Sequence, residues 1–171
     1  MAFDAYIKIN GIDGEALDEK YKDYIEVLGY QYGATQATSA TASSSGGASS
    51  ERVALSDFTI RKSVDKASAK LFESCCKGTH ISTVQLVVNR AGGDKVTYLT
   101  IDMEEVVVSS VNFIAGGSKG EDNEVSDLPT EEIKFNFARI KTTYTQQKRT
   151  DGQGGGNIVG GWDRTKNATF A

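Results

Sequence analysis

Apolar and polar residues alternate along much of this chain, and the alternation predicts β-strands. From Phe3 to Asn10 every second residue, starting with Phe3, is apolar, which is typical of a half-buried strand. Tyr24 to Tyr32 predicts a second strand with apolar residues on both faces, which indicates that both faces are covered. The strand pattern resumes over residues 51–61, where a slip in the alternation at Ser56-Asp57 predicts a bulge.

The second half of the chain continues the strand pattern. Ile81 to Arg90 pairs with Lys95 to Asp102 across the turn Ala91-Gly92-Gly93-Asp94, whose residue types are typical of a hairpin. β-Branched residues continue from Glu104 to Ile114, and Glu131 to Gln146 forms one long strand. The apolar phase shifts in the middle of that strand, which predicts either a bulge or a strand that passes from one sheet to another.

One amphipathic helix, over residues 68–77, interrupts the strands. The Ser68 hydroxyl can accept from the free amides of the first turn, and Gly78 can take the left-handed conformation after the last turn. The apolar residues between these ends fall on one stripe, formed by Leu71, Phe72, Cys75 and Cys76. We therefore expect the helix to pack on a sheet through this stripe.

The segment from Ala34 to Ser50 contains only Ala, Thr, Gln, Ser and Gly, so it has no large side chain to bury. It predicts a long projecting loop. The loop is either a flexible linker within a hairpin or a contact arm that becomes ordered when a partner covers it.

Many strands and a single helix predict a mainly β fold. We expect residues 1–171 to form one domain, a single β-barrel of two packed antiparallel sheets with one flanking helix and the projecting loop. The glycines, 18 against a single proline, gather between the strands, as expected where many strands are joined by turns.

The formal net charge is −4, and acidic and basic residues are interspersed. This argues against nucleic-acid binding, which needs clustered Lys and Arg. No apolar run approaches the roughly 20 residues of a membrane span, so we expect no membrane insertion. The first residues lack the basic start and apolar stretch of a signal peptide, so we expect synthesis in the cytosol. The adjacent Cys75 and Cys76 are expected to stay reduced.

Several residue sets could be mistaken for active sites. Cys75, Cys76 and His80 cluster in the sequence, but Gly78 separates the cysteines from the histidine, and a thiol on an apolar stripe is a poor nucleophile. A single histidine also excludes a triad or a multi-histidine site. Structural packing is therefore the better interpretation of these residues.

The acidic pairs and the Gly-rich loops offer no better chemistry. Glu104-Glu105 and Glu131-Glu132 lie on predicted strands, where neighbouring side chains point to opposite faces. Residues 116–120 lack the order of a phosphate-binding loop, and the acidic residues that follow them lack the spacing of a calcium loop. We therefore expect no catalytic residue, no cofactor and no metal, as in a structural or binding protein rather than an enzyme.

Short stretches that span nearly the whole chain form an ordered set: Tyr6-Ile7-Lys8-Ile9 with Gly11-Ile12-Asp13-Gly14-Glu15, Ile25-Glu26-Val27-Leu28, Tyr30-Gln31-Tyr32-Gly33, Asp65-Lys66-Ala67-Ser68 with Leu71 and Gly78, Tyr98-Leu99 with Val106 to Val111, and Gly161-Trp162-Asp163 with Asn167. Each stretch is weak alone. Together they resemble the haemolysin-coregulated protein (Hcp) family of the bacterial type VI secretion system.

The resemblance implies a compact β-barrel, six copies of which close into a ring. The rings would stack into the inner tube of a contractile apparatus, with a VgrG spike at the tip, a contractile sheath around the tube and effector proteins in the lumen. It also implies that the protein passes from the bacterial cytoplasm to the medium or into target cells without a signal peptide.

Two sets of positions follow from this resemblance. Gln31 is a hypothetical lumen or effector contact, because it lies on the face of its strand opposite Tyr30 and Tyr32. The alternative is that Gln31 is an ordinary exposed glutamine on a strand, with no contact to a lumen or an effector. The Ala34 to Ser50 loop is a hypothetical ring-stacking contact, represented by Ala34, Thr38, Ser44, Gly46 and Ser50.

Two other functions remain open at this point. A β-sandwich that binds carbohydrate would use exposed aromatic faces, whereas a tube protein would bury Tyr30, Tyr32 and Trp162. A hydrolase is disfavoured by the single histidine and the lack of a paired acid.

Overall fold

The computed structural model describes residues 3–37, 52–90, 96–115, 129–147 and 154–170. Over these ranges the chain is mainly β, with one helix. Its elements are β1 (Phe3–Ile9), β2 (Ile25–Val27), β3 (Gly29–Gln31), β4 (Ala34–Thr35), β5 (Ala54–Leu55), β6 (Phe58–Ser63), α1 (Ser68–Lys77), β7 (His80–Arg90), β8 (Thr97–Ile114), β9 (Thr130–Gln147), β10 (Gly154–Asp163) and β11 (Ala168–Thr169).

Nine of these strands form one antiparallel sheet that branches at β9. The main path runs β11-β10-β9-β8-β7-β1-β2, and β6 joins β9 and carries β3 on its other side. β9 therefore has β8 along one edge, while its other edge pairs first with β6 and then with β10. The two remaining strands, β4 and β5, form a separate ribbon.

The predicted single barrel of two packed sheets is not confirmed. Within the described ranges no strand pairing closes the nine-stranded sheet, although the chain passes directly from β2 to β3 through Leu28. The predicted Tyr24–Tyr32 strand is broken at Leu28 because its first half pairs with β1 and its second half pairs with β6. The pattern could indicate the strands but not this change of partner.

Other strand predictions have clear outcomes. The β7–β8 hairpin is confirmed by the pairing of Val88 with Leu99, while its turn lies outside the described residues. The shift of phase in residues 131–146 marks the region where β9 exchanges β6 for β10. The slip at Ser56-Asp57 is not a bulge within one strand, because the chain there leaves the β4–β5 ribbon and enters the large sheet.

The main core is formed by the inward face of the large sheet, and Leu71 of α1 packs into it at one side. As the alternation predicted, Ala5, Ile7 and Ile9 are buried in it. The opposite face of β1 is covered as well, because Tyr6 stacks on Tyr21 with ring centroids 4.6 Å apart. The largest side chains with almost no exposed surface are Phe58, Lys62, Phe135, Ile7, Ile9, Ile25, Ile60, Leu71, Leu86, Ile101, Met103 and Ile133.

α1 spans the predicted residues, and Gly78 ends it in the left-handed conformation with φ 62°. The predicted start is wrong in its chemistry: Ala67 occupies the N-cap position without a side-chain cap, and the Ser68 hydroxyl bonds elsewhere. The apolar stripe is also narrower than predicted. Leu71 is buried and Cys75 packs on the core, but Phe72 and Cys76 are exposed. With ten residues, α1 is too short to cross a bilayer, and no other helix occurs in the described ranges.

Candidate functional site

A polar surface spans four neighbouring strands, β3, β6, β9 and β8. The pairings Gln31–Thr59, Thr59–Lys134 and Lys134–Ser110 place four polar side chains in one row across these strands. Successive side chains of a strand alternate between faces, so residues two positions away extend the same surface. We call this surface the four-strand face and define it by Gln31, Thr59, Arg61, Ser110, Asn112, Glu132 and Lys134.

Gln31 is exposed at one border of the four-strand face. Tyr30 and Tyr32 lie on the other side of the strand, with ring centroids 6.2 Å and 5.4 Å from that of Phe58. The pKa of the Tyr30 phenol is raised, mainly because the side chain is partly buried and secondly because Tyr98 is nearby. The structure thus places Gln31 opposite the tyrosines, as the sequence predicted. A contact of Gln31 with a lumen or an effector stays a prediction.

The four-strand face ends in two edges that have no strand partner among the described residues. One is the outer edge of β3, and the other is the edge of β8 beyond Val107, where its pairing with β7 stops. Large apolar side chains lie beside both edges. Leu28 is 58% exposed next to β3, and Phe113 is 51% exposed on β8, where it contacts Phe72 of α1 at 6.1 Å between ring centroids.

Lys62 and Glu131, both fully buried, form an ion pair beneath α1, with 2.6 Å between Lys62 Nζ and Glu131 Oε1. Lys62 also contacts Asp65 Oδ1 at 2.7 Å. The Ser68 hydroxyl donates to Glu131 Oε1 at 2.7 Å and accepts from the Asp65 amide at 3.0 Å. The first turn of α1 is therefore joined to β6 and β9 through a buried ionic cluster.

Glu104 and Glu105 do not point to opposite faces, so that prediction is wrong. Both carboxylates contact Arg139: Glu104 Oε2 lies 3.0 Å from Nε, and Glu105 Oε1 lies 2.6 Å from Nη2. The cause is the backbone of Glu105, whose φ of 52° breaks the alternation of the strand. For Glu131 and Glu132 the prediction is confirmed, because Glu131 is buried and Glu132 is partly exposed.

A groove runs along one side of Trp162, between the β4–β5 ribbon and the loop after β10. Two adjoining cavities of about 800 Å³ and about 540 Å³ share Arg52, Val53, Trp162 and Thr165 in their walls. The smaller cavity extends to His80, Asn136 and Arg164. We call this surface the Trp162 groove and define it by Arg52, Val53, Asn136, Trp162, Arg164 and Thr165.

The two arginines of the Trp162 groove are held by backbone oxygens. An Nη of Arg52 donates to the carbonyl of Arg164, and Arg164 Nη1 donates to the carbonyl of Phe137 at 3.0 Å. Trp162 is half-buried, and its Nε1 has no acceptor among the described residues. No prediction from the sequence pointed to this groove, because its defining residues come from three separate segments of the chain.

The loop after β10 is organised by Asp163. Its Oδ1 accepts hydrogen bonds from the Thr165 hydroxyl at 2.6 Å, the Thr165 amide at 2.8 Å and the Lys166 amide at 3.0 Å. These donors, the Thr165 hydroxyl first and then the Lys166 amide, lower the pKa of the Asp163 carboxyl from its ordinary value. The carboxylate therefore stabilises the wall of the Trp162 groove.

The other predicted positions have simpler outcomes. Ala34 begins β4, whereas Thr38, Ser44, Gly46 and Ser50 lie outside the described residues. Cys75 and Cys76 are free thiols, and His80 lines the Trp162 groove without them. Across the described ranges, no three His, Cys, Asp or Glu side chains are grouped so that they could hold a metal ion. Residues 116–128, with the Gly-rich stretch and its acidic neighbours, are not among those described.

Comparison with known proteins identifies the family. The profile of the family described as "Type VI secretion system effector, Hcp" matches residues 6–144. The chain belongs to the Hcp family. As an Hcp protein it is a tube protein of type VI secretion, and it is 36% identical over 168 residues to "Protein hcp1" of Pseudomonas aeruginosa, with 98% of each chain covered.

Solved structures agree with this assignment of the Hcp fold. One, described as a type six secretion system protein, has a TM-score of 0.89 at 30% identity and covers 99% of this chain and 100% of its own. Hcp1 from Salmonella typhimurium has a TM-score of 0.76, also at 30% identity, with the same coverage of both chains. Burial of the aromatic residues was expected to distinguish a tube protein from a carbohydrate-binding protein, but it is less decisive here. Tyr30 and Trp162 are half-buried, and Tyr32 is 37% exposed.

Proposed function

We propose that six copies of this Hcp chain close head to tail into a ring, and that the rings stack into the inner tube of a contractile type VI apparatus. The tube is topped by a VgrG spike, surrounded by a contractile sheath and expelled from the bacterial cytoplasm into the medium or a target cell. Its lumen carries effector proteins. The chain acts as a structural subunit and not as an enzyme.

The observation that carries the ring is the presence of exposed apolar residues beside both free edges of these four strands. A closed ring needs two different patches on each copy, one of which meets the other on the next copy. Leu28 lies beside the β3 edge, and Phe72 and Phe113 lie beside the β8 edge, on the side of the sheet that α1 covers. Joining these edges would bury apolar side chains, each of which contributes about 1.5–3 kcal/mol when fully removed from water.

The polar row between these borders supports a lumen. If the edges of neighbouring copies meet, the four-strand faces of the copies form one continuous surface. We place Gln31 on the wall of the lumen, because it is exposed on this face beside the β3 edge. A polar wall suits a passage for folded proteins, because it offers no large apolar area to which they would adhere.

The stacking of rings involves the Ala34 to Ser50 loop in this proposal. The undescribed part of that loop lies between Ala37 and Arg52, and both Ala34 and Arg52 line the larger cavity beside Trp162. Thr38, Ser44, Gly46 and Ser50 are then candidate contacts to the next ring.

The ring is tested by Phe113→Ser in the full chain. Native mass spectrometry and negative-stain images should show six-membered rings with an open centre for the parent protein. The variant should shift toward monomers by at least tenfold in dissociation constant, because its β8 border loses an apolar contact.

Leu17→Ser is the matched control. Leu17 is 95% exposed, but it lies on the segment that packs beside β1 and at neither border. Compact monomers of the parent protein would contradict the ring. Rings that are weakened equally by Leu17→Ser would show that the Phe113 border is not the contact.

A further inference from the structure

The outer edge of β10 is open along its middle. β9 pairs along one side of β10, whereas β11 covers the other side only at Trp162 and Asp163. Beside β11, the carbonyl of Gly161 accepts a hydrogen bond from the Phe170 amide. From Asn157 to Val159 the outer edge has no strand partner among the described residues.

The direction of the backbone groups in this open stretch follows from their neighbours. Backbone groups of successive strand residues point alternately to the two edges. The Gly161 carbonyl points outward to β11, and the Arg164 amide points the other way, to β9. β10 and β9 keep one register from Asn157 to Asp163, so the alternation is unbroken. The amides and carbonyls of Asn157 and Val159 therefore point outward, to the open side.

The side chains beside the open stretch are uncharged and partly apolar. Ile158 is 65% exposed and Val159 is 45% exposed. Ile158 is paired with Tyr144 of β9, which is 42% exposed, so an exposed apolar row reaches the edge on one face. From Gly154 to Gly161 the sequence has no Lys, Arg, Asp, Glu or Pro. Natural sheets protect open edges with such residues, and an edge without them is prone to pair with another strand.

The open stretch is complementary to a second copy of itself. Suppose that Ile158 lies opposite Ile158 of the second copy in an antiparallel pair. Asn157 of each copy then lies opposite Val159 of the other, and their outward amides and carbonyls exchange hydrogen bonds. A register with Val159 opposite itself would place Asn157 opposite Gly161, whose carbonyl is already bonded to Phe170. The first register is therefore the better one.

We propose that β10 binds β10 of a second copy in this antiparallel register, with a two-fold axis at Ile158. The apolar row of Ile158 and Tyr144 then meets the same row of the other copy. The contact is isologous, so it differs from the head-to-tail contacts of the ring, and it uses none of the residues at the ring borders.

The strength of the contact depends on how many copies take part. Only a short stretch of each copy is involved, whereas a stable interface uses roughly 20–30 residues a side. We therefore expect weak pairing of single chains. Rings of the kind proposed above would strengthen it, because each ring carries several copies of the edge.

Opposite charges at the two-fold axis test the contact. Ile158→Lys and Ile158→Glu each place like charges opposite each other, whereas an equimolar mixture of the two variants places unlike charges there. Both changes are made in full-length Phe113→Ser chains, in which the ring contact is weakened. Sedimentation velocity over a concentration series should show at least tenfold weaker pairing for either variant alone than for the Phe113→Ser chain. The mixture should pair at least tenfold more tightly than either variant.

Leu17 supplies the matched control, because it is 95% exposed and lies outside β10. Leu17→Lys and Leu17→Glu, in the same Phe113→Ser chain, should leave pairing unchanged, both alone and mixed. An equal response to the Leu17 changes would show a general effect of charge and overturn the contact. A mixture of the Ile158 variants that is no tighter than its components also overturns it, because the edge would then bind something other than itself.

Disulfide trapping checks the register and detects a weak contact. In a chain with Cys75→Ser and Cys76→Ser, Ile158→Cys places two thiols opposite each other in a pair without hydrogen bonds. The Cβ atoms of such a pair are close enough for a disulfide. Mild oxidation should give at least tenfold more two-copy product than Leu17→Cys in the same chain, although Leu17 is more exposed. Equal yields would overturn the register.

The outcome separates this contact from the ring. Size-exclusion chromatography with light scattering gives the number of copies in the parent protein. Six-copy rings, together with Ile158 variants that behave like the Leu17 variants, would remove the β10 contact and leave the ring standing. Trapping at Ile158 in a protein that forms no ring would remove the ring and leave the contact at β10.

Discussion

Lys62 and Glu131 bring two opposite charges into a core that is otherwise apolar. Both are fully buried, and Glu131 Oε2 has no hydrogen-bond partner among the described residues. Removal of two charges from water costs several kcal/mol for each ion, and their attraction offsets this only in good geometry. The Ser68 hydroxyl and Asp65 improve that geometry, so the four residues act as one unit.

We predict that Lys62→Met lowers the free energy of unfolding by about 3–5 kcal/mol, because it leaves the buried Glu131 carboxylate without its cation. The double variant Lys62→Met with Glu131→Leu should lose clearly less, since no uncompensated charge remains. Urea unfolding followed by circular dichroism measures both. Lys70→Met, at an exposed pair with Glu73, should change stability by less than about 1 kcal/mol. A double variant that is less stable than Lys62→Met would contradict this account.

Predictions from the sequence succeeded at the residues whose environment is set locally. Alternation placed Ile7 and Ile9 in the core correctly, because one pleat determines the direction of each side chain. Alternation places Lys62 on the same face as Phe58 and Ile60, but it could not indicate that the charge stays buried, since its partner Glu131 is distant in sequence. It also failed at Glu105, where one positive φ turns a side chain to the face of its neighbour.

In α1 as well, the features that depend on neighbouring residues followed from the sequence, whereas those that depend on distant partners did not. Its bounds followed from local chemistry, including the glycine at position 78. Its buried face did not, because the adjoining sheet covers Leu71 and stops short of Phe72. The exposed Phe72 is better explained by the border that it shares with Phe113 than by the core.

The turn from Asp163 to Lys166 makes stability depend on pH. The folded state lowers the pKa of Asp163 through the Thr165 hydroxyl first, then through the Lys166 amide. A carboxyl whose pKa is lower when folded adds stability above its unfolded pKa and loses it as pH falls through the folded value. The contribution is therefore complete at neutral pH and disappears in acid.

We predict that Asp163→Asn is less stable than the parent at pH 7 and that the difference shrinks as pH falls below the ordinary range of an aspartate. Urea unfolding at a series of pH values measures it. Thr165→Val keeps the carboxylate but removes its first donor, so it should reduce the pH dependence only in part. An Asp163→Asn difference that is constant across pH would contradict this role.

At the scale of the whole molecule, the sequence predicted a mainly β chain with one helix, and the structure confirms both. The predicted single barrel is not confirmed, because closure depends on which strands pair and not on which residues are apolar. The Trp162 groove was missed for a related reason: Arg52, Asn136 and Trp162 meet only after three distant segments have paired.

The net charge gives a prediction for the assembled ring. Six copies at −4 each carry a total of about −24, so packing must outweigh mutual repulsion. Ring formation should therefore be weaker at low salt, where charges are screened less and repel over longer distances. Light scattering at fixed protein concentration across a salt series measures the fraction in rings. Rings that are unaffected by salt, or tighter at low salt, would contradict this prediction.

The pairing of β8 with β9 also has a mechanical consequence. Each strand has 18 residues, so the pair extends over about 60 Å at 3.3 Å per residue. Their hydrogen bonds lie perpendicular to the strands, so a push along the strand direction loads many of these bonds together in shear instead of opening them one at a time. Under a force along the strands, β8 and β9 would therefore resist being pulled past each other along their whole paired length.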